Sequence, residues 1–108
     1  MAQTTYFRVT GRDTHGEVLS CYAAYRQQEV VLFDIKDGRA LVLHLFKCPD
    51  AQALRGVIRE HVMDVDHLVE LSGEDKPQYF GARLPVPTRW TEMQRGILGV
   101  ILETQEVK

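Results

Sequence analysis

The dipeptide Asp37-Gly38 stands between two runs of β-branched, aliphatic and aromatic residues, EVVLFDIK (29–36) and RALVLHLFK (39–47). A two-residue type I′ connection needs positive φ at both central positions, and Asp-Gly meets that demand at little steric cost. The two runs are therefore predicted to be neighbouring antiparallel strands. A chain committed to such a hairpin must build its core against a sheet.

The segments before the hairpin carry the same period. TTYFRVTGR (4–12) alternates, with Thr5, Phe7 and Val9 against Tyr6, Arg8 and Thr10. EVLSCYAAY (17–25) alternates again, with Leu19, Cys21, Ala23 and Tyr25 against Val18, Ser20, Tyr22 and Ala24. DTHG (13–16) suits a hairpin loop, and Arg26-Gln27-Gln28 reads as a short polar turn. Strands over 4–12, 17–25, 29–36 and 39–47 make a four-stranded antiparallel meander.

At Pro49 the period changes. Proline cannot donate to a ladder but suits the first turn of a helix. Leu54, Val57, Ile58, His61 and Val62 follow the 3.6 period, so a packed helix is expected over about 50–63, with Asp50 placed to favour its N-terminus. The next segment is irregular. DHLVELSG reads as either a fifth short strand or a helical turn, and GEDKPQYFGARLPVP as a loop. Thr88 can cap a C-terminal helix over about 88–103, in which Trp90, Met93, Ile97, Val100 and Ile101 share one arc; the alternative is that Gly96 ends the helix and ILGVILETQEV forms a last strand. The fold class is α+β, and the 108 residues suit one domain, 1–108.

Charge and cysteines narrow the function classes. Net charge is −2, which argues against a general nucleic-acid binder. Residues 49–82 are the acidic part, with three basic and seven acidic groups. No apolar run approaches the ~20 residues that cross a bilayer, and MAQTTYFRVT lacks the basic and apolar regions of a secretory leader. Cys21 and Cys48 form no C-x-x-C pattern, so a cytoplasmic location with reduced thiols is expected.

Strands 29–36 and 39–47 are apolar on both sides. Val30 and Leu32 oppose Val31, Phe33 and Ile35; Ala40, Val42 and Phe46 oppose Leu41, Leu43 and Leu45. The helix can cover one face. The other is expected to carry Tyr6, Tyr22, Val30, Leu32, Val42 and Phe46, bordered by Arg8 and His44. A contiguous apolar patch of that kind marks an interface unless the chain's own later segments bury it. Arg83 and Arg89 in ARLPVPTRW (82–90) extend the candidate interface, since arginine and tryptophan concentrate at binding hot spots.

Chemistry is represented most densely by HVMDVDH (61–67). His61, Asp64, Asp66 and His67 are ligand types for zinc, iron or manganese. In a helix Asp66 and His67 point away from His61; in a strand His67 takes the face opposite Asp64 and Asp66. Neither geometry converges all four. Cys21 and His44 are expected on opposite sides of the sheet, which disfavours a nucleophile–base pair. No phosphate-binding, dinucleotide-binding or serine-hydrolase motif occurs, and no cofactor is implied. Tyr6, Arg8 and Tyr22 interleave aromatic and basic groups as a base-stacking platform does, but the rest of the patch is aliphatic. The sequence favours a small cytoplasmic, non-catalytic interaction or regulatory module of adaptor or inhibitor type, with a protein partner or a second copy (homodimer). The alternatives are a small metal-dependent enzyme centred on 61–67 and a small-ligand-binding module.

Overall fold

A computed structural model describes residues 3–81. Five antiparallel strands form one sheet: β1 (Thr5–Arg12), β2 (Val18–Arg26), β3 (Glu29–Lys36), β4 (Arg39–Lys47) and β5 (Asp64–Leu71), in the spatial order β4-β3-β2-β1-β5. Helix α1 (Leu54–His61) joins β4 to β5 and carries the chain from one edge of the sheet to the other. The α+β meander is thus present, with a full fifth strand where the sequence left strand and helical turn open. The helix expected over 88–103 lies outside the described residues.

The turns follow their chemistry. Asp37 and Gly38 both have positive φ, 53° and 75°, as a type I′ hairpin requires. In the β1–β2 loop the Asp13 carboxylate accepts from the His15 and Glu17 backbone N–H groups at 2.8 and 2.9 Å. The β2–β3 connection is shorter than the sequence suggested. Arg26 pairs with Glu29, so only Gln27 and Gln28 form the turn.

That one residue matters, because a slip of one flips every side chain to the other face. With a two-residue turn Tyr22 lies opposite Phe33, and Ala23 opposite Leu32. Val30 and Leu32 therefore do not share a face with Tyr22. A second irregularity acts in β4. Leu32 pairs with His44 but Phe33 with Val42, leaving Leu43 unpaired as a β-bulge. Beyond the bulge the alternation reverses. Ala40, Val42 and Leu45 join one face, while His44 and Phe46 join the other.

The helix face packs Phe7, Val9, Cys21, Ala23, Val30 and Leu32 against Leu54, Ile58 and Met63. Leu54 and Ile58 are fully buried, and each contributes about 2 kcal/mol by leaving water. A single 3-10 turn, Ala51–Ala53, precedes α1, and the Asp50 carboxylate caps it by accepting from the Ala53 N–H at 2.9 Å. The helix stops before Asp64. Arg55 then ties it to β5 by donating to the Val65 and Asp66 carbonyls at 2.8 and 2.9 Å.

The opposite face packs Tyr6, Ala24, Val31, Phe33, Ala40 and Val42 beneath Tyr79. After β5 the chain returns across this face as a strap, residues 76–81. The Phe80 N–H donates to the Gly38 carbonyl and the Ala40 N–H to the Gly81 carbonyl, both at 2.9 Å. The Arg39 guanidinium lies 4.9 Å from the centre of the Phe80 ring. Part of the second face is thus covered from within the 64–87 segment.

Candidate interaction surface

The strap lies toward the β3–β4 side. On the same face β2, β1 and β5 present a grid fixed by their register. Arg8 lies opposite both Tyr22 and Val69, Thr10 opposite both Ser20 and His67, and Arg12 opposite Val18. Val18 is 65% exposed and Val69 54%. They are two of the three exposed large hydrophobic residues among the described ones; the third is the bulged Leu43 at 44%.

Arg8 is held in place on the middle strand of the grid. Its guanidinium lies 5.0 Å from the centre of the Tyr22 ring, and its Nη2 donates to the Ser20 hydroxyl at 2.7 Å. Tyr22 in turn stacks on Phe33, with centroids 5.6 Å apart and planes 27° apart. Phe33 meets Tyr79 edge-on at 5.4 Å, and the Tyr6 and Tyr79 hydroxyls are 2.7 Å apart. A surface cation thus rests on a run of rings anchored in the core. Arginine over a tyrosine face gains about 0.5–1 kcal/mol at an exposed site. Arg12 differs, because it faces Asp66 (3.8 Å between Nε and Oδ2).

The residues expected at the interface divide between the two faces. Tyr6, Arg8, Tyr22 and Val42 lie on the strap face; Tyr6 and Val42 are buried there, and Arg8 is exposed. Val30 and Leu32 are fully buried under α1 and offer nothing to a partner. Phe46 and His44 also lie on the helix side, where Phe46 stacks on His61 at 5.3 Å with planes 18° apart. The two-residue turn and the β4 bulge account for this division. Arg83 and Arg89 lie outside the described residues. Val18, Ser20, His67 and Val69 complete the grid. Val18 and Ser20 were legible as the outward set of β2, whereas His67 and Val69 required β5 to be recognised as a strand.

The four groups of HVMDVDH separate. His61 ends α1 and leans on Phe46, Asp64 pairs with Arg59 at 3.2 Å, Asp66 with Arg12, and His67 stands on β5 opposite Thr10. Among the described residues no group of three or more histidine, cysteine or carboxylate side chains is placed to hold a metal ion. His44 sits below its ordinary value, first through burial and then through the charge of His61. The bulge brings His44 to the same face as Cys21, contrary to expectation. They remain two strands apart, Cys21 on β2 and His44 on β4, and burial pushes the Cys21 thiol up to about 11, so it is no nucleophile.

Two open clefts flank the Arg59–Asp64 pair at the rim between α1 and β5. One, about 180 Å³, is lined by Arg12, Thr14, His61 and Met63 among others; the second, about 220 Å³, by Arg55, Gly56 and Val65. Both fall short of the ~300 Å³ at which small-molecule sites begin.

No helix among the described residues is long and apolar enough to cross a membrane. No family model matches the chain, and no curated protein or solved structure matches it either.

Proposed function

We propose that this chain is a small, non-catalytic protein–protein interaction or regulatory module, of adaptor or inhibitor type, acting in the cytoplasm through a protein partner or a second copy. The observation that carries the reading is the β2–β1–β5 grid: a guanidinium held on an aromatic ring, with exposed Val69 directly opposite it on β5 and exposed Val18 farther along on β2, opposite Arg12. Exposed apolar side chains on one sheet face favour association, and aromatic and arginine groups dominate the energetics of interfaces. The unbroken β1–β2 pairing beneath Arg8, Ser20 and Tyr22 favours binding with little rearrangement there.

The test is association measured beside stability. Light scattering at high concentration, together with pull-downs from a cytosolic extract, is expected to reveal a dimer or a recovered partner. Val18→Asp with Val69→Asp is expected to abolish that association and leave the melting temperature near its starting value, since both side chains are exposed. A strictly monomeric protein that recovers no partner overturns the reading. So does an association untouched by the double variant.

A further inference from the structure

Resting on that reading, we infer that the β2–β1–β5 face takes an acidic segment of a partner protein, with an aspartate or glutamate carboxylate set on the Arg8 guanidinium and a neighbouring apolar side chain set on Val69.

Charge complementarity carries the argument. Arg12 and Arg59 each face an aspartate, and Arg55 is spent on two backbone carbonyls. Arg8 instead has the Tyr22 ring and the Ser20 hydroxyl, and among the described residues no carboxylate lies within ion-pair range of it. A guanidinium offers five N–H donors in a planar fork that matches a carboxylate through two parallel bonds. Arg8 is already oriented by ring and hydroxyl, so little side-chain freedom remains to be lost when an anion arrives. Directly across the β1–β5 pairing stands Val69, which is more than half exposed. An anion site beside an apolar contact fits a peptide bearing both kinds of side chain.

Nucleic acid fits the same face less well. Binding a phosphate backbone draws on several cations, whereas Arg12 on this face is paired and the chain is net negative. His67 and Thr10, which complete the grid, are small polar contacts suited to a rim rather than to a phosphate track.

The experiment pans a phage-displayed library of random peptides against the full chain and measures synthetic versions of the selected sequences by titration. Selected peptides are expected to carry aspartate or glutamate next to an apolar residue. They should shift the amide and side-chain signals of Arg8, Ser20, Tyr22 and Val69. Arg8→Gln is expected to weaken them about tenfold or more, the usual loss for a charge-assisted hydrogen bond. Arg59→Gln, off this face, should leave them unchanged. Val69→Asp provides a second route: it places a like charge beside the incoming carboxylate and should also abolish binding. Basic or uncharged binders, or binders indifferent to both Arg8→Gln and Val69→Asp, overturn this inference while the interaction reading stands. A single-stranded oligonucleotide bound in an Arg8-dependent way overturns it in favour of nucleic acid. A library that yields no binder, from a protein that is also monomeric and recovers no partner, overturns both.

Discussion

Gln27 and Gln28 adopt φ of 48° and 68°, the left-handed region that residues with a Cβ enter at about 1 kcal/mol or more. They do so because the two-residue turn is imposed by pairing on either side, Arg26 with Glu29 and onward. Gln27→Asn with Gln28→Gly puts the preferred Asn-Gly pair there, and the melting temperature is expected to rise by a few degrees. Calorimetry checks it; an unchanged or lower value means that the glutamine side chains supply something the turn geometry does not. His44 offers a residue-scale test of charge. Its pKa lies below 6.5 in the fold, so its neutral form is favoured there. Its contribution to stability is complete above the unfolded value and declines as pH falls through 6.5 and below. His61→Gln removes the second cause of the shift. The His44 ring signals are then expected to titrate closer to 6.5 in an NMR pH series, and no upward movement refutes the coupling.

At the scale of elements, strand existence was legible and strand phase was not. The bounds 29–36 and 39–47 are those of β3 and β4, because β-branched runs around Asp-Gly admit little else. What escaped were single-residue irregularities. Reading a three-residue turn in place of Gln27-Gln28 put Leu32 on the face of Tyr22, and nothing in the composition of β4 announces that Leu43 bulges. The fifth strand was ambiguous for the same kind of reason. Between Thr10 and Gly11 the β1–β5 register shifts, leaving Asp66 unpaired, so the helix-facing residues Val65 and Leu68 are three apart and mimic a helical spacing. Its other positions are mostly exposed, as an edge strand allows. The shift is built around Gly11, where a Cβ would collide with the Asp64 carbonyl and press on the Met63 sulfur. Gly11→Ala is expected to destabilise the protein by about 1–3 kcal/mol, as overpacking does. In hydrogen exchange the β5 amides should lose protection ahead of those in β3 and β4. Uniform loss across the sheet would show that β5 does not part separately.

At the scale of the molecule, the sheet is covered unevenly: α1 covers one face and the strap covers part of the other, so β3 is enclosed from above and below while β2 is closed over on its helix side. Cys21 reports on that closure. It sits on β2, between β1 and β3, is 2% exposed, and has its thiol pushed up to about 11 by burial first and by Asp34 second, with Arg8 opposing. The neutral thiol is the form the fold favours. Its contribution to stability is therefore complete below the ordinary value of 9.0 and is lost between about pH 9 and 11, where the unfolded chain ionises first. Alkylation at pH 8 gives a sharper reading. The thiolate is the reactive form, and in the native state Cys21 is both un-ionised and shut away, so modification must pass through an open state. Because its strand is central, that opening should be global, and the free energy obtained from the Cys21 alkylation rate is expected to equal that from urea unfolding. Cys48 follows β4 at the entry to α1, its Sγ donating to the Asp50 carbonyl at 2.9 Å, and release of the helix alone can free it. It should therefore react through a smaller opening. Mass spectrometry of the two sites along a urea series separates these cases. Cys21 labelling at a free-thiol rate, or ahead of Cys48, would mean that the sheet parts at its centre before its edges.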